Sequence, residues 1–255
     1  MMSNIHSKFR SIILLSMSCL ISMIQLVDAK DTITVYSYYS SPPFSMGANK
    51  GGLIQEVVET IDQNAKNLSL DLRIISRPAL TEILKTEKNP FIVAFAHPTW
   101  FQDKERIKYL WSRPLFSDHN VLISNELKPI DFKGQYSFAF QKVGVPRGYQ
   151  IYLLDDLVKK GKANRQDVAS IPALIKMVAQ SKIKMAVIPY PIVRYYVDQL
   201  KLNDTIHFSN RPHQTYERHF MLVNGSVELN GDIDDAIRKA RNNASLKKIL
   251  KKYGY

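Results

Sequence analysis

Phe91-Ile92-Val93-Ala94-Phe95 is an unbroken apolar run of strand length, preceded by Asn89-Pro90. With no polar alternate, such a strand must be covered on both faces, as in the interior of a parallel sheet flanked by helices. Upstream, Leu70-Asp-Leu72-Arg-Ile74-Ile75 predicts a second strand and Ala79–Thr86 a short helix. Before these, Ile33-Thr-Val-Tyr-Ser-Tyr alternates as a strand, and Ser41-Pro42-Pro43-Phe44 ends it. A loop through Gly47, Gly51 and Gly52 leads to Leu53–Ile61, whose apolar spacing is helical. Strand, helix, strand, helix, strand describes an open α/β unit.

Downstream the pattern restarts. Tyr136–Phe140 and Val143–Val145 are expected as strands, and Tyr149–Lys160 and Ile171–Gln180 as helices. Met185–Ile188 reads as another buried strand, Pro191–Leu200 as a helix and Ile206–Phe208 as a short strand. Extended Phe220–Val223 follows, and amphipathic Ile233–Ala240 and Leu246–Tyr253 close the chain. Two α/β units joined by extended segments near 117–124 and 218–224 imply two lobes with two crossings between them.

The first 29 residues form a charged, then apolar, then small-residue pattern. Lys8 and Arg10 precede a largely apolar Ile12–Leu26, and Val27-Asp28-Ala29 presents small residues where a signal peptidase reads. The expected outcome is cleavage after Ala29 and a periplasmic location. A retained anchor fits less well, because about 15 apolar residues fall short of the ~20 that span a bilayer. Lipidation at Cys19 fits less well again, since Ser16 stands where that signal places leucine. Cleavage removes Lys8, Arg10 and Asp28, lowering 35 basic and 23 acidic residues to 33 and 22, a net charge of +11. It also removes the single cysteine, so a hydrophobic core rather than disulfides must stabilise the remaining chain.

That charge raises the question of nucleic acid. The clusters Lys159-Lys160-Gly-Lys162 and Lys247-Lys248…Lys251-Lys252 both lie at expected helix ends, where cations complement the helix dipole. The basic surface therefore points to anionic ligands or envelope surfaces, with no nucleic-acid partner expected.

Several segments together resemble the family 3 solute-binding proteins, the periplasmic receptors of amino-acid ABC importers. Tyr39-Ser-Ser-Pro-Pro-Phe44 is similar to that family's first strand-to-loop signature, and Gly52-Leu-Ile-Gln-Glu-Val to its helix start. Glu105-Arg106-Ile-Lys-Tyr-Leu-Trp-Ser-Arg-Pro114 resembles its Glu-Arg segment, and Val143-Gly-Val-Pro-Arg-Gly148 the turn opening the second lobe. Leu246-Lys-Lys-Ile-Leu-Lys-Lys-Tyr-Gly is also family-like, so the likeness spans nearly all of 33–253. It implies a two-lobed α/β periplasmic-binding-protein fold: signal peptide 1–29, lobe 1 from 30–119 with 221–255, and lobe 2 from 120–220.

The same resemblance implies a ligand site. Arg106 matches the arginine that forks onto a ligand carboxylate, a geometry lysine cannot copy. The backbone amides of Gly148, Tyr149 and Gln150 stand at a helix start, a natural anion site. Tyr39 and Ser41 after the first strand, Thr99 and Trp100 after the third, and Pro189 and Tyr190 after Met185–Ile188 complete the expected set. Two departures bear on the ligand. Tyr149 replaces the usual hydroxyl residue, and Pro189 stands where amino-acid receptors place the acid that neutralises an ammonium. A buried ammonium without a counter-charge is costly. Unless Glu56, Asp103 or another acid serves, a carboxylate-bearing or otherwise anionic ligand fits better.

Capture by lobe closure, for an ABC importer permease or a membrane sensor, is the expected function, by a monomer with no cofactor. The alternative is a dehydratase-like enzyme acting on a cyclic carboxylic acid, which needs a cleft acid to move a proton. No Gly-x-Ser-x-Gly, His-Glu-x-x-His or Gly-rich phosphate loop occurs. His207, His213 and His219, six residues apart on extended segments, provide no preformed metal face.

Overall fold

The computed structural model describes residues 30–47 and 51–255. The expected signal segment, with its cleavage site, lies outside these residues. Four elements open the first half: β1 (Asp31–Ser37), α1 (Leu53–Asn64), β2 (Leu68–Ile74) and α2 (Arg77–Thr86). They are followed by β3 (Phe91–Ala96), a 3₁₀ turn over Pro98–Phe101, β4 (Leu110–Trp111) and β5 (Phe116–Asn125). The second half contributes β6 (Lys142–Pro146), α3 (Tyr152–Lys159), β7 (Asn164–Val168) and α4 (Ile171–Ala179). β8 (Met185–Pro189), α5 (Tyr190–Gln199), β9 (Ile206–Phe208) and β10 (Gln214–Val223) come next, and α6 (Val227–Asn242) and α7 (Ser245–Lys252) end the chain.

The strands follow one path, β2-β1-β3-β10-β5-β8-β6-β7, with β4 against β10 and β9 against β5. β1 pairs in parallel with β2 and β3, and β6 in parallel with β7 and β8. As its composition requires, every residue of β3 is buried. Two strands connect the halves. Gln214–Arg218 of β10 pair with Phe116–Asn120 of β5, while Met221–Val223 pair with Phe91–Val93 of β3, with a bulge between His219 and Met221. β5 likewise turns from β10 to β8, pairing Asn120–Ser124 with Met185–Pro189. The crossings expected near 117–124 and 218–224 are thus two ten-residue antiparallel strands.

Local chemistry starts the helices. Ser76, Ser170 and Ser226 each accept, through Oγ, the amide three residues on, at 3.2, 3.4 and 3.1 Å, satisfying a free amide at the start of α2, α4 and α6. α1 begins without such a cap. Gly52 before it has φ +128°, and a Cβ there would lie 2.6 Å from the Phe44 carbonyl oxygen. Only glycine fits. α1 buries Leu53, Ile54, Val57, Val58 and Ile61 on one face, and α6 and α7 return to pack against it with Ile233, Ala236, Ile237, Ala240 and Leu246.

One expectation changes, and one strand goes unread. Tyr136–Phe140 is a chain of turns, not a strand: Ser137 N donates to Gly134 O and Phe140 N to Lys162 O. Phe138 alone is buried there, while Tyr136 and Phe140 are 79% and 80% exposed. The alternation reflects one anchor between two exposed rings rather than a sheet face. β7 escapes sequence reading because Asn164-Arg-Gln-Asp-Val is polar, as edge strands commonly are.

His213 lies between Phe132 and Phe138, at ring distances of 5.0 and 5.4 Å, and neither ring nitrogen has a hydrogen-bond partner. Burial pushes it down to about 4 from an ordinary 6.5. The unfolded chain therefore binds an extra proton between these pH values, so stability is lost as pH falls through that window. Burial shifts His97, His119 and His219 the same way. In His213→Phe the fall of Tm between pH 7 and pH 4 should be shallower than in the wild type, measured by thermal melts in matched buffers.

Candidate functional site

The carboxyl ends of β1 and β3 and those of β6 and β8 face each other where β5 and β10 cross, and Arg218 fills the centre. It is 1% exposed and Asp118 is fully buried. Tyr216 pairs directly with Asp118 across the crossing, so Arg218, two residues on, meets Asp118 on the diagonal. Arg218 Nε and Nη2 donate to Asp118 Oδ2 at 3.0 and 2.6 Å. Nη1 donates to the Tyr39 hydroxyl and, at 3.1 Å, to the Phe95 carbonyl oxygen. Nη2 also reaches the Tyr216 hydroxyl at 3.5 Å. The five N–H groups of the guanidinium are matched by five contacts.

Rings enclose this cation. The guanidinium carbon lies 4.7 Å from the Tyr39 ring centre and 5.1 Å from those of Phe44, Trp100 and Tyr216. A cation over aromatic faces gains attraction that grows as water is removed. Burial works against the charged form, yet the oxygens of Tyr39, Tyr216 and Asp118 outweigh it and push Arg218 well above its ordinary range. Tyr149 closes the centre from the second half. Burial pushes its hydroxyl up to about 12, with Tyr39 raising it further and Arg218 opposing. The Tyr255 ring packs edge-on against Phe116 at 4.7 Å beside Asp118.

Loops around this centre are held by committed charges. Arg165 on β7 donates to the Tyr149 carbonyl oxygen and to Asp155 Oδ1, both at 2.6 Å, and Asp155 Oδ2 accepts the Ile151 amide at 2.9 Å. That fixes the turn through Gly148, whose φ of +83° suits glycine. Asp103 accepts the amides of Ile107, Lys108 and Tyr109 and, at 2.7 Å, Trp111 Nε1. Burial would raise its carboxyl, but these donors outweigh burial and hold it below the ordinary range. Glu56 is bound by Lys252 at 2.7 Å and the Tyr253 hydroxyl at 2.6 Å. Both acids considered as counter-charges for an ammonium are thus spent on structure.

The expected site residues divide. Tyr39, Trp100 and Tyr149 meet at Arg218, and Tyr190 stacks on His119, the neighbour of Asp118, at 4.6 Å. Pro189 ends β8 opposite Asn120. Ser41 accepts the Ser45 amide in the turn after β1, and the Tyr149 amide donates to Pro146 O, so it is not free for an anion. Gln150 is exposed. Thr99 borders an open hollow of about 540 Å³ with Gln102, Lys104 and Ile107. Arg106 is exposed, at φ +56°, with Nη2 3.3 Å from His219 Nε2.

Sequence reasoning missed Asp118, Tyr216, Arg218 and Arg77. The signal available was the period of two on β10, which puts Tyr216 and Arg218 on one face and Thr215 and Glu217 on the other. Arg77, at the start of α2, lies between the Tyr38 and Phe101 rings at 4.6 and 4.5 Å, with Nη2 3.4 Å from Trp100 O. Among the described residues, neither Arg77 nor Arg106 has a carboxylate within 4.0 Å. His207 contacts Asp131, His213 its two phenylalanines and His219 Ser112, so the three histidines occupy separate places. The described residues contain no metal-binding group of three or more His, Cys, Asp or Glu.

No family model matches this chain, and no curated protein does. Solved structures do. An ancestral arginine-binding protein bound to arginine is similar over 89% of this chain and 99% of its own, with TM-score 0.67 and 14% identity. A structure of glutathione import via GshT and the cystine ABC importer TcyBC of Streptococcus mutans is similar over 88% and 95%, with TM-score 0.65 and 18% identity. A histidine kinase sensor domain with similarity to periplasmic binding proteins gives 89% and 97%, 0.67 and 14%. At these identities the likeness is one of fold. The chain has the two-lobed periplasmic-binding-protein fold.

Removing one partner of a buried ion pair strands the other charge, at a cost of about 3–5 kcal/mol. Arg218→Met should destabilise by that amount in urea unfolding. Asp118→Asn combined with Arg218→Met should cost clearly less than the two single changes added, because neither variant charge remains unpaired.

Proposed function

We propose that this protein is a solute-binding protein that captures a small carboxylate-bearing ligand between its lobes and presents it to an ABC importer or a membrane sensor. One observation carries the reading: strand ends from both halves, bearing Tyr39, Trp100, Tyr149 and Tyr190, gather where the two crossing strands pass. Open α/β sheets bind ligands at such ends. Lobe 1 is 30–119 with 221–255 and lobe 2 is 120–220, so movement about β5 and β10 opens and closes the space between.

The charges favour an anion. Asp118 is neutralised by Arg218, Glu56 and Asp103 are spent, and Pro189 offers no carboxylate. Arg77 and Arg106 keep free N–H edges, and Arg106 is the group assigned to the ligand carboxylate. The protein acts by binding without turnover: the buried acid of the centre is held by a guanidinium and is not placed to move a proton.

Thermal-shift screening of organic anions should give a ligand that raises Tm, because ligand bound only to the folded state stabilises it. Small-angle scattering should then show a smaller radius of gyration, and mass spectrometry should recover the compound unchanged. Steady conversion would favour the dehydratase-like alternative. Arg106→Lys should weaken binding about ten- to a hundredfold, from one lost charge-assisted hydrogen bond of roughly 1.5–3 kcal/mol. Unchanged affinity in Arg106→Ala, by calorimetry, would remove Arg106 from the site.

A further inference from the structure

β6, β7 and β8 run in parallel towards the proposed ligand site, so their amino ends form the opposite end of the second half, about 16 Å away at 3.3 Å per residue. β5, antiparallel to β8, ends there too, at Asn125. Hydrogen bonds tie the connecting segments into one surface. Asn125 Nδ2 donates to Ala179 O at 2.6 Å, Phe140 N to Lys162 O at 2.7 Å, and Asn164 N to Gln141 O at 2.9 Å.

This end carries Leu127 and Phe140, 91% and 80% exposed, and the turn leading into Phe140 carries Tyr136, 79% exposed. They are three of the seven large exposed hydrophobics among the described residues, and all three lie on the single connection between β5 and β6. Exposed Lys128, Lys133, Lys142, Lys162, Lys182 and Lys184 surround them. Among the described residues none of the six has a carboxylate within 4.0 Å. Four acids lie nearby: Asp156 pairs with Lys160 at 2.6 Å, Asp131 with His207 and Asn210, and exposed Glu126 lies 3.7 Å from His207, while Asp204 is exposed, so the six lysines outnumber the acids.

We propose that this end docks on an anionic phospholipid bilayer. Lysines gain from anionic headgroups, and leucine and aromatic side chains gain from the headgroup boundary. A soluble polyanion would use the first group and leave the second in water. Adsorption through this end turns the ligand site away from the lipid. The inference does not depend on what the site binds.

The test uses residues 30–255, which contain every described element, sedimented with phosphatidylcholine vesicles with or without about 30 mol % phosphatidylglycerol. Binding should require the anionic lipid and fall at high salt. Neutralising Lys133, Lys142 and Lys162 to glutamine should lower the partition about a hundredfold, at about fivefold per lysine. Tyr136→Ser with Phe140→Ser should lower it at least tenfold at an unchanged Tm, while Lys247→Gln with Lys248→Gln should leave it within about twofold. Equal binding to both vesicle types, no binding at low salt, or binding that depends on Lys247 and Lys248 instead would overturn the proposal. So would anionic binding indifferent to Tyr136 and Phe140, which would mark a surface suited to any polyanion, nucleic acid included.

Discussion

The Arg218–Asp118 pair is the constraint around which both halves are arranged. It joins the two crossing strands on one diagonal, borrows a carbonyl from β3 and a hydroxyl from the loop after β1, and is sealed by rings from three segments. Desolvating two such charges costs several kcal/mol each, which only near-complete hydrogen bonding offsets. Here the guanidinium has five contacts and both Asp118 oxygens are occupied, Oδ1 by the His119 amide at 2.7 Å. The pair is therefore better understood as fixing one arrangement of the crossing than as a source of net stability.

The same arrangement shapes the chemistry available nearby. Because the central charges cancel, the floor of the site is electrically neutral and aromatic. The exposed charges around it are of both signs, Arg77 and Arg106 on one hand and Glu105 and Glu217 on the other, with Glu217 3.7 Å from the same His219 that Arg106 contacts. Arg77 lies between the rings of Tyr38 and Phe101, which restrict the movement of its planar guanidinium. Arg165 serves the other lobe by holding the Gly148–Ile151 turn without entering the site itself.

The fold was legible in the sequence where burial demands apolar residues on both faces. Phe91–Phe95 and Met185–Ile188 could only be inner strands, and the helices with apolar spacing fell within about three residues of their observed limits, except α6, which begins at Val227, six residues before the expected Ile233. Reading failed where polarity had a tertiary cause. Asn164–Val168 is a strand because β6 offers it an edge, and nothing in its own pattern says so. Tyr136–Phe140 alternates for an unrelated reason. At the site, aromatics at strand ends were readable, whereas Arg218 and Asp118 look like surface residues of exposed strands until the crossing buries them. Asp103 and Glu56 show the converse, carboxylates that resemble site residues but cap a loop and anchor a helix.

The position of β10 also dictates an order of assembly. β3 is bordered by β1 on one side and on the other by Met221–Val223, more than a hundred residues later in the chain. Until those residues are synthesised, the most apolar strand of the molecule has one bare edge, able to pair with any passing strand. Contacts this distant in sequence close slowly, since loop entropy is lost before they form. In a growing chain this edge of β3 therefore stays unpaired until β10 is present.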